Sequence, residues 1–234
     1  MSHLVLSTVG TTTIENRQFV DNLVDGRLRA WAQTGEKNFI EDQPLARKLG
    51  DEIAKVWPHI QKTLTIVPAE IASLARIRAH FGIQERDGSR FVFISSQTPR
   101  GKSCTWAVMH AFRQIFHPCD CSTDSLGACA HVDFHCLEGV QAKDYRRFTE
   151  GANGLAGLIA AERKSFTAAN GDLRERLIFN YTGSYKGLIP FATEACHEQQ
   201  FIMAYLFEGA PFLFFKRPDS ARIVPEDRLF VPGL

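Results

Sequence analysis

Arg90-Phe-Val-Phe-Ile-Ser-Ser-Gln-Thr-Pro-Arg-Gly-Lys102 is the stretch on which the reading of this chain turns. Arg90 to Ile94 is an apolar run of strand character. Ser95 to Gly101 is a loop of small and hydroxyl residues at its C-terminal end. Cys104 to Phe116 then sets Trp106, Met109, Phe112 and Phe116 on or near one helical face. A strand that is apolar throughout, followed by a helix, is the unit of a parallel sheet covered on both faces.

The same unit recurs on either side. Leu4 to Leu6 reads as a buried strand ending in Ser7-Thr-Val-Gly-Thr-Thr12, and Leu177 to Phe179 as another, ending in Asn180-Tyr-Thr-Gly-Ser184, with a helix from about Tyr185 to Gln199. Leu64 to Val67 reads as a further strand. Pro68 opens a helix through Ile71, Leu74, Ile77 and Phe81, proline being suited to a first turn. Helical stripes are also predicted over Asn16–Trp31, Pro44–Ile60 and Gln141–Thr167, and a closing pair of strands over Ile202–Phe207 and Phe212–Phe215. The fold class expected is α/β, a mostly parallel central sheet with helices on both faces. One domain over residues 1–234 is expected, with a Cys/His-rich insertion or hairpin at about 117–136.

The chain has 234 residues, 44% apolar and 23% charged, which excludes a disordered polymer. Lys plus Arg number 27 and Asp plus Glu 26, a net charge of +1, so a generic electrostatic binder of duplex nucleic acid is not expected. No apolar run reaches the roughly 18 residues of a membrane span. Met1-Ser-His3 leads straight into strand-like sequence, with no basic segment and apolar stretch of a signal peptide. A cytoplasmic protein with reduced cysteines is expected.

Open α/β sheets bind ligands at the carboxyl ends of their strands. Three loops have suitable composition: Ser7 to Thr12, Ser95 to Lys102, and Asn180 to Lys186. Backbone N–H groups and hydroxyls at such tips donate to phosphate and ribose oxygens, and Lys102 and Lys186 can supply charge. The candidate ligand contacts are Ser7, Gly10, Thr11 and Thr12; Ser95, Ser96, Gln97, Thr98, Arg100 and Lys102; and Asn180, Thr182, Gly183, Ser184 and Lys186. The alternative is tight turns whose hydroxyls merely cap helices. Val9-Gly-Thr-Thr12 is neither a P-loop nor a dinucleotide fingerprint, so neither a nucleoside triphosphate nor a dinucleotide cofactor is indicated, and no cofactor is expected.

Five segments in order resemble the CRISPR-associated Rossmann-fold (CARF) family, in the branch of CRISPR-linked sensor domains and standalone ring nucleases. They are Leu4–Thr12, Pro68-Ala-Glu-Ile-Ala-Ser-Leu74, Ile94–Gly101, Leu137-Glu-Gly-Val-Gln-Ala-Lys-Asp-Tyr-Arg-Arg-Phe148, and Phe179-Asn-Tyr-Thr-Gly-Ser-Tyr-Lys-Gly-Leu-Ile-Pro190. The resemblance implies a Rossmann-like CARF fold and a homodimer that binds a cyclic oligoadenylate, tetra-adenylate favoured, across its two-fold axis. It extends to about Phe215 and leaves no room for an appended ribonuclease domain. It therefore implies a metal-independent ring nuclease in which a ribose 2′-hydroxyl attacks its own phosphate. Lys186 would stabilise the developing charge, and a first-loop hydroxyl, Thr11 or Thr12, would position the phosphate. Ser184 stands where a second glycine is common in the family, which narrows the approach to the phosphate.

Two alternatives stand beside this reading. One is a messenger sensor without catalysis that regulates a partner chain. The other is an unrelated Rossmann-like enzyme, which calls for a carboxylate at a strand end. Glu70 and Glu208 are available for that, yet each reads as well as a helix-start or turn residue. His117, Cys119, Cys121, Cys129, His131, His135 and Cys136 crowd together. A structural zinc on Cys119, Cys121, Cys129 and His131 competes there with a plain polar loop, since Cys-x-Cys departs from the usual Cys-x-x-Cys knuckle. Cys104 and Cys196 lie on helical faces and read as core.

Overall fold

The computed structural model describes residues 2–23, 25–57, 68–84, 87–116, 131–140, 144–171, 175–183, 186–206, 213–220 and 223–225. In chain order these form β1 (Leu4–Thr8), α1 (Thr12–Glu15), α2 (Arg17–Val20), α3 (Gly26–Ala32), α4 (Gln43–Val56), α5 (Ala69–Phe81), β2 (Arg90–Ser96) and α6 (Pro99–Phe116). There follow β3 (Val132–Leu137), α7 (Tyr145–Asn170), β4 (Leu177–Asn180), α8 (Ile189–Glu198), β5 (Ile202–Leu206), β6 (Leu213–Lys216) and β7 (Ile223–Pro225). The strands make one sheet in the order β3-β2-β1-β4-β5-β6-β7. The pairings from β3 to β5 are parallel, and β6 and β7 extend the sheet in antiparallel fashion.

Alternation along the strands divides the core in two. Val5, Phe91, Phe93 and Ile178 face the layer built by α3 to α6, while Leu4, Leu6, Val92, Ile94, Leu177 and Phe179 face α7 and α8. The expected Rossmann-like α/β architecture, with helices on both faces, is what forms. On the first face α4 crosses α6 at Gly50, where an added Cβ would lie 2.7 Å from the Ala107 carbonyl oxygen. Glycine is the residue that permits this approach.

Several boundaries differ from the sequence reading, each for a local reason. The helix expected over Asn16–Trp31 is broken into pieces. The Asn16 side chain accepts the Phe19 N–H, and Asp25 accepts the N–H groups of Arg27 and Leu28. Both are caps, and a cap starts a new helix. Helix α6 begins at Pro99 rather than Cys104, because the Thr98 hydroxyl accepts the Gly101 N–H ahead of a proline suited to the first turn. Pro190 stands at the start of α8, preceded by a 3₁₀ turn over Lys186–Leu188, in place of a continuous helix from Tyr185.

The stretch expected as an insertion ends in a strand. From Val132 onward it is β3, parallel to β2 with Val132 opposite Phe91. Leu64–Val67 and residues 117–130 lie outside the described residues. Among the described residues no helix is long and apolar enough to cross a membrane.

Candidate functional site

β1 lies between β2 and β4, so the three loops singled out in the sequence emerge side by side. Thr8 is opposite Ile94 on one side and Ser7 opposite Asn180 on the other. Connections from β1 run outward through β2 to β3, and then return to β4 on the other flank. The order therefore reverses between β1 and β4, which is where an open α/β sheet leaves a crevice at its strand tips.

The floor of this crevice is a buried polar web. Asn180 is fully buried and its Nδ2 donates to Ser7 Oγ at 3.0 Å and Ser73 Oγ at 2.8 Å. Its Oδ1 accepts the Thr182 hydroxyl at 2.7 Å, and that hydroxyl oxygen accepts the Leu206 N–H at 2.9 Å. Ser73 in turn donates to the Glu70 carbonyl. Five elements or their loops (β1, α5, β4, β5 and the β4 turn) are thus joined through one carboxamide. Buried polar groups demand such partners, and a fully paired network fixes one arrangement.

Two glycines bring the walls together. The Gly10 N–H donates to Glu70 Oε1 at 3.2 Å, so this amide is already engaged by the protein. A Cβ on Gly10 would fall 2.6 Å from the Gly183 carbonyl oxygen, and one on Gly183 would fall 2.5 Å from Glu70 Oε1. Gly10→Ala must therefore push two backbones apart. It is expected to cost roughly 1–3 kcal/mol in a denaturant titration, the usual penalty of overpacking.

The rim carries the charge. The Thr11 hydroxyl donates to Glu15 Oε1 at 2.8 Å, and Arg100 Nη1 lies 3.9 Å from the same oxygen. Arg100 and Lys102 sit in the first turn of α6, where the helix dipole disfavours cations. Each has a carboxylate partner, Lys102 with Glu41 at 3.5 Å. Ser96 and Thr98 share a hydrogen bond at 3.1 Å, Ser95 donates to the Ser96 carbonyl, and the Gln97 side chain is exposed. Lys186 is exposed and makes no salt bridge among the described residues. Thr12 opens α1, but its side chain, like Ser184, lies outside the described residues. Beside the β4 turn Tyr181 stacks on Tyr205 with centroids 4.9 Å apart, and burial pushes its phenol above the usual range.

The family described as CRISPR-associated protein (Cas_APE2256) matches residues 66–211, more than half of the chain. The chain belongs to this CRISPR-associated family. No curated protein matches it. The matched span contains four of the five segments quoted above, while Leu4–Thr12 precedes it.

In this CRISPR-associated protein the cysteines and histidines divide by position. Cys104 and Cys196 are buried, and burial pushes both thiols far up. They are core residues, as expected. His135 hydrogen-bonds Glu162 at 3.2 Å, and Arg90 Nη1 lies 2.8 Å from the other Glu162 oxygen. The hydrogen bond from His135, with the charge of Arg90, holds the Glu162 carboxyl below its ordinary range against the opposing effect of burial. His131 is exposed, and Cys119, Cys121 and Cys129 lie outside the described residues. Among the described residues no group of three metal-ligating side chains converges.

No motif in the sequence singles out Glu15 or Ser73, and Glu70 reads there as a helix-start residue. The signal for Glu15 is its spacing, four residues after Thr11, which puts the two side chains on one side of a helical turn. Ser73 and Glu70 both lie within the Pro68–Leu74 segment. Their partners Asn180 and Gly10 are more than 50 residues away, so no local pattern reveals them.

Proposed function

We propose that this CRISPR-associated protein is a homodimeric CARF-type ring nuclease of one domain. It would bind cyclic oligoadenylate, tetra-adenylate by preference, and cleave it to linear products ending in a 2′,3′-cyclic phosphate, so switching off an antiviral signal. The observation that carries the reading is the convergence of three hydroxyl-rich strand-tip loops on the switch point between β1 and β4. Lys186, exposed in the short helical turn that follows the β4 loop, adds a cation to it. Family membership and the segment resemblance support it.

The chemistry asks little of the protein beyond geometry and charge. A ribose 2′-hydroxyl loses its proton to solvent as its oxygen attacks the adjacent phosphorus, and the departing 5′-oxygen takes a proton up from solvent, so the nucleophile comes with the substrate and no metal-bound water is required. In-line alignment and neutralisation of the phosphorane oxygens are what accelerate such a step. Lys186 is assigned the charge, and Thr11 the contact with the ribose–phosphate. Ser7, Asn180 and Thr182 hold the crevice from below, since their polar atoms are bonded within the protein. Two copies related by a two-fold axis present each loop twice, matching a ring of even symmetry.

Incubation of the purified protein with cyclic tetra- and hexa-adenylate in EDTA tests this. Linear products with a cyclic phosphate end, the tetra-adenylate consumed faster, are the expected result. Rings that bind and stay intact would instead favour a sensor acting on a partner chain. Rings that do not bind would remove both readings.

A further inference from the structure

The Thr11 hydroxyl has one hydrogen, and the structure shows where it goes. Its partner Glu15 Oε1 stands at 2.8 Å. A carboxylate can only accept, so the hydroxyl must be the donor in this pair. Arg100 Nη1, 3.9 Å from the same Oε1, also approaches this oxygen as a donor and so offers the Thr11 hydrogen no competing acceptor. What remains on Thr11 Oγ1 is lone-pair capacity, so toward anything in the crevice this hydroxyl is an acceptor.

That polarity has a consequence for the ligand. In the sugar–phosphate chain of an oligonucleotide, the phosphate, ester and ring oxygens all accept. The ribose 2′-hydroxyl is the single donor. It is also the group by which proteins tell RNA from DNA at a given site. A free threonine hydroxyl could turn its hydrogen to a phosphate and would be indifferent to the 2′ position. A threonine whose hydrogen is held by a carboxylate cannot do so.

We infer that Glu15 is a positioning residue that commits the Thr11 hydrogen, so that Thr11 reads the ribose 2′-hydroxyl as an acceptor and the crevice selects ribonucleotide over deoxyribonucleotide rings. The inference rests on the ring-nuclease reading above and assigns the sugar selectivity of that site. In cleavage the same contact would orient the 2′-oxygen, which is the attacking atom.

The test is a ratio of affinities. Cyclic tetra-adenylate and its all-2′-deoxy counterpart are titrated calorimetrically against the full-length protein. The Lys186→Ala background is used so that turnover does not interfere. The ribose ring is expected to bind roughly tenfold tighter or more, the scale of a lost hydrogen bond to a group left unpaired. Glu15→Ala is expected to bring the ratio to within about twofold. Any change from removing a negative charge near Arg100 affects both rings and cancels. Glu15→Gln, whose amide oxygen still accepts, is expected to keep most of the preference.

Thr11→Val is expected to lose the preference as Glu15→Ala does, and the double variant to lose no more than either. A ratio that survives Glu15→Ala, or falls equally with Glu15→Gln, overturns the inference while leaving the ring-nuclease reading in place. Failure of the unsubstituted protein to bind either ring overturns both.

Discussion

Lys186→Ala is expected to slow ring cleavage by roughly 10²–10³-fold, the usual scale for removing one group that stabilises charge in a transition state. The phosphorane formed by 2′-oxygen attack carries more negative charge on its free oxygens than the phosphodiester does. A cation beside the scissile phosphate would therefore bind the transition state more tightly than the ground state, and only such differential binding accelerates the step. Lys186 is exposed and makes no salt bridge among the described residues, so no internal carboxylate there has to be displaced before it meets a phosphate. Arg100 and Lys102, by contrast, are already matched with Glu15 and Glu41.

The measurement is single-turnover cleavage with binding followed in parallel. Affinity should fall far less than rate, and Lys186→Arg should retain part of the activity. Equal losses in affinity and rate would make Lys186 a tether with no transition-state role. Unchanged cleavage would remove it from the mechanism.

The second large effect is on stability. Asn180→Leu is expected to lower the free energy of unfolding by roughly 3–5 kcal/mol, at the upper end of single substitutions. Leucine is close in size, so the loss comes chiefly from hydrogen bonding. Two serine hydroxyls lose the carboxamide donor, and the Thr182 N–H and hydroxyl lose their acceptor. Each buried polar group left without a partner costs about 1–3 kcal/mol, softened where a hydroxyl can turn elsewhere. Ser7→Ala and Ser73→Ala each remove one member and should cost less. Denaturant titration at neutral pH reads the difference. A loss below about 1 kcal/mol would mean that the web closes around the gap or admits water.

How far the molecule could be read from its residues follows from which forces are local. The strands Leu4–Thr8, Arg90–Ser96 and Leu177–Asn180 announce themselves by apolar runs, and the rule that ligands gather at parallel strand tips brings the three loops together. Caps carry a weaker signal than apolar spacing. The Thr98-Pro99 pair starts α6, so Arg100 and Lys102 stand in a helical turn rather than a loop. Asn16 and Asp25 divide what the apolar spacing alone makes one helix. β3 was hidden because Val132-Asp-Phe-His-Cys-Leu137 carries an ion pair to Arg90 and a histidine bonded to Glu162 in place of a continuous apolar run. β7 is three residues with a proline.

The crevice floor was illegible for a different reason. Ser7 and Asn180 are 173 positions apart, and their pairing follows only once β1 and β4 are known to be neighbours. Glu15 was legible in principle, through its four-residue spacing from Thr11, yet that spacing alone does not say which hydroxyl faces the crevice.

The contact of α4 and α6 at Gly50 bears on how the protein would take up a guest. With a carbonyl 2.7 Å from where a side chain would begin, the two helices have no room to slide past one another. Amide deuteration should find their central turns opening together as one cooperative block, at close to the cost of global unfolding. The end of α6 that bears Arg100 is then anchored to that block, a fixed wall against which any ligand would have to fit.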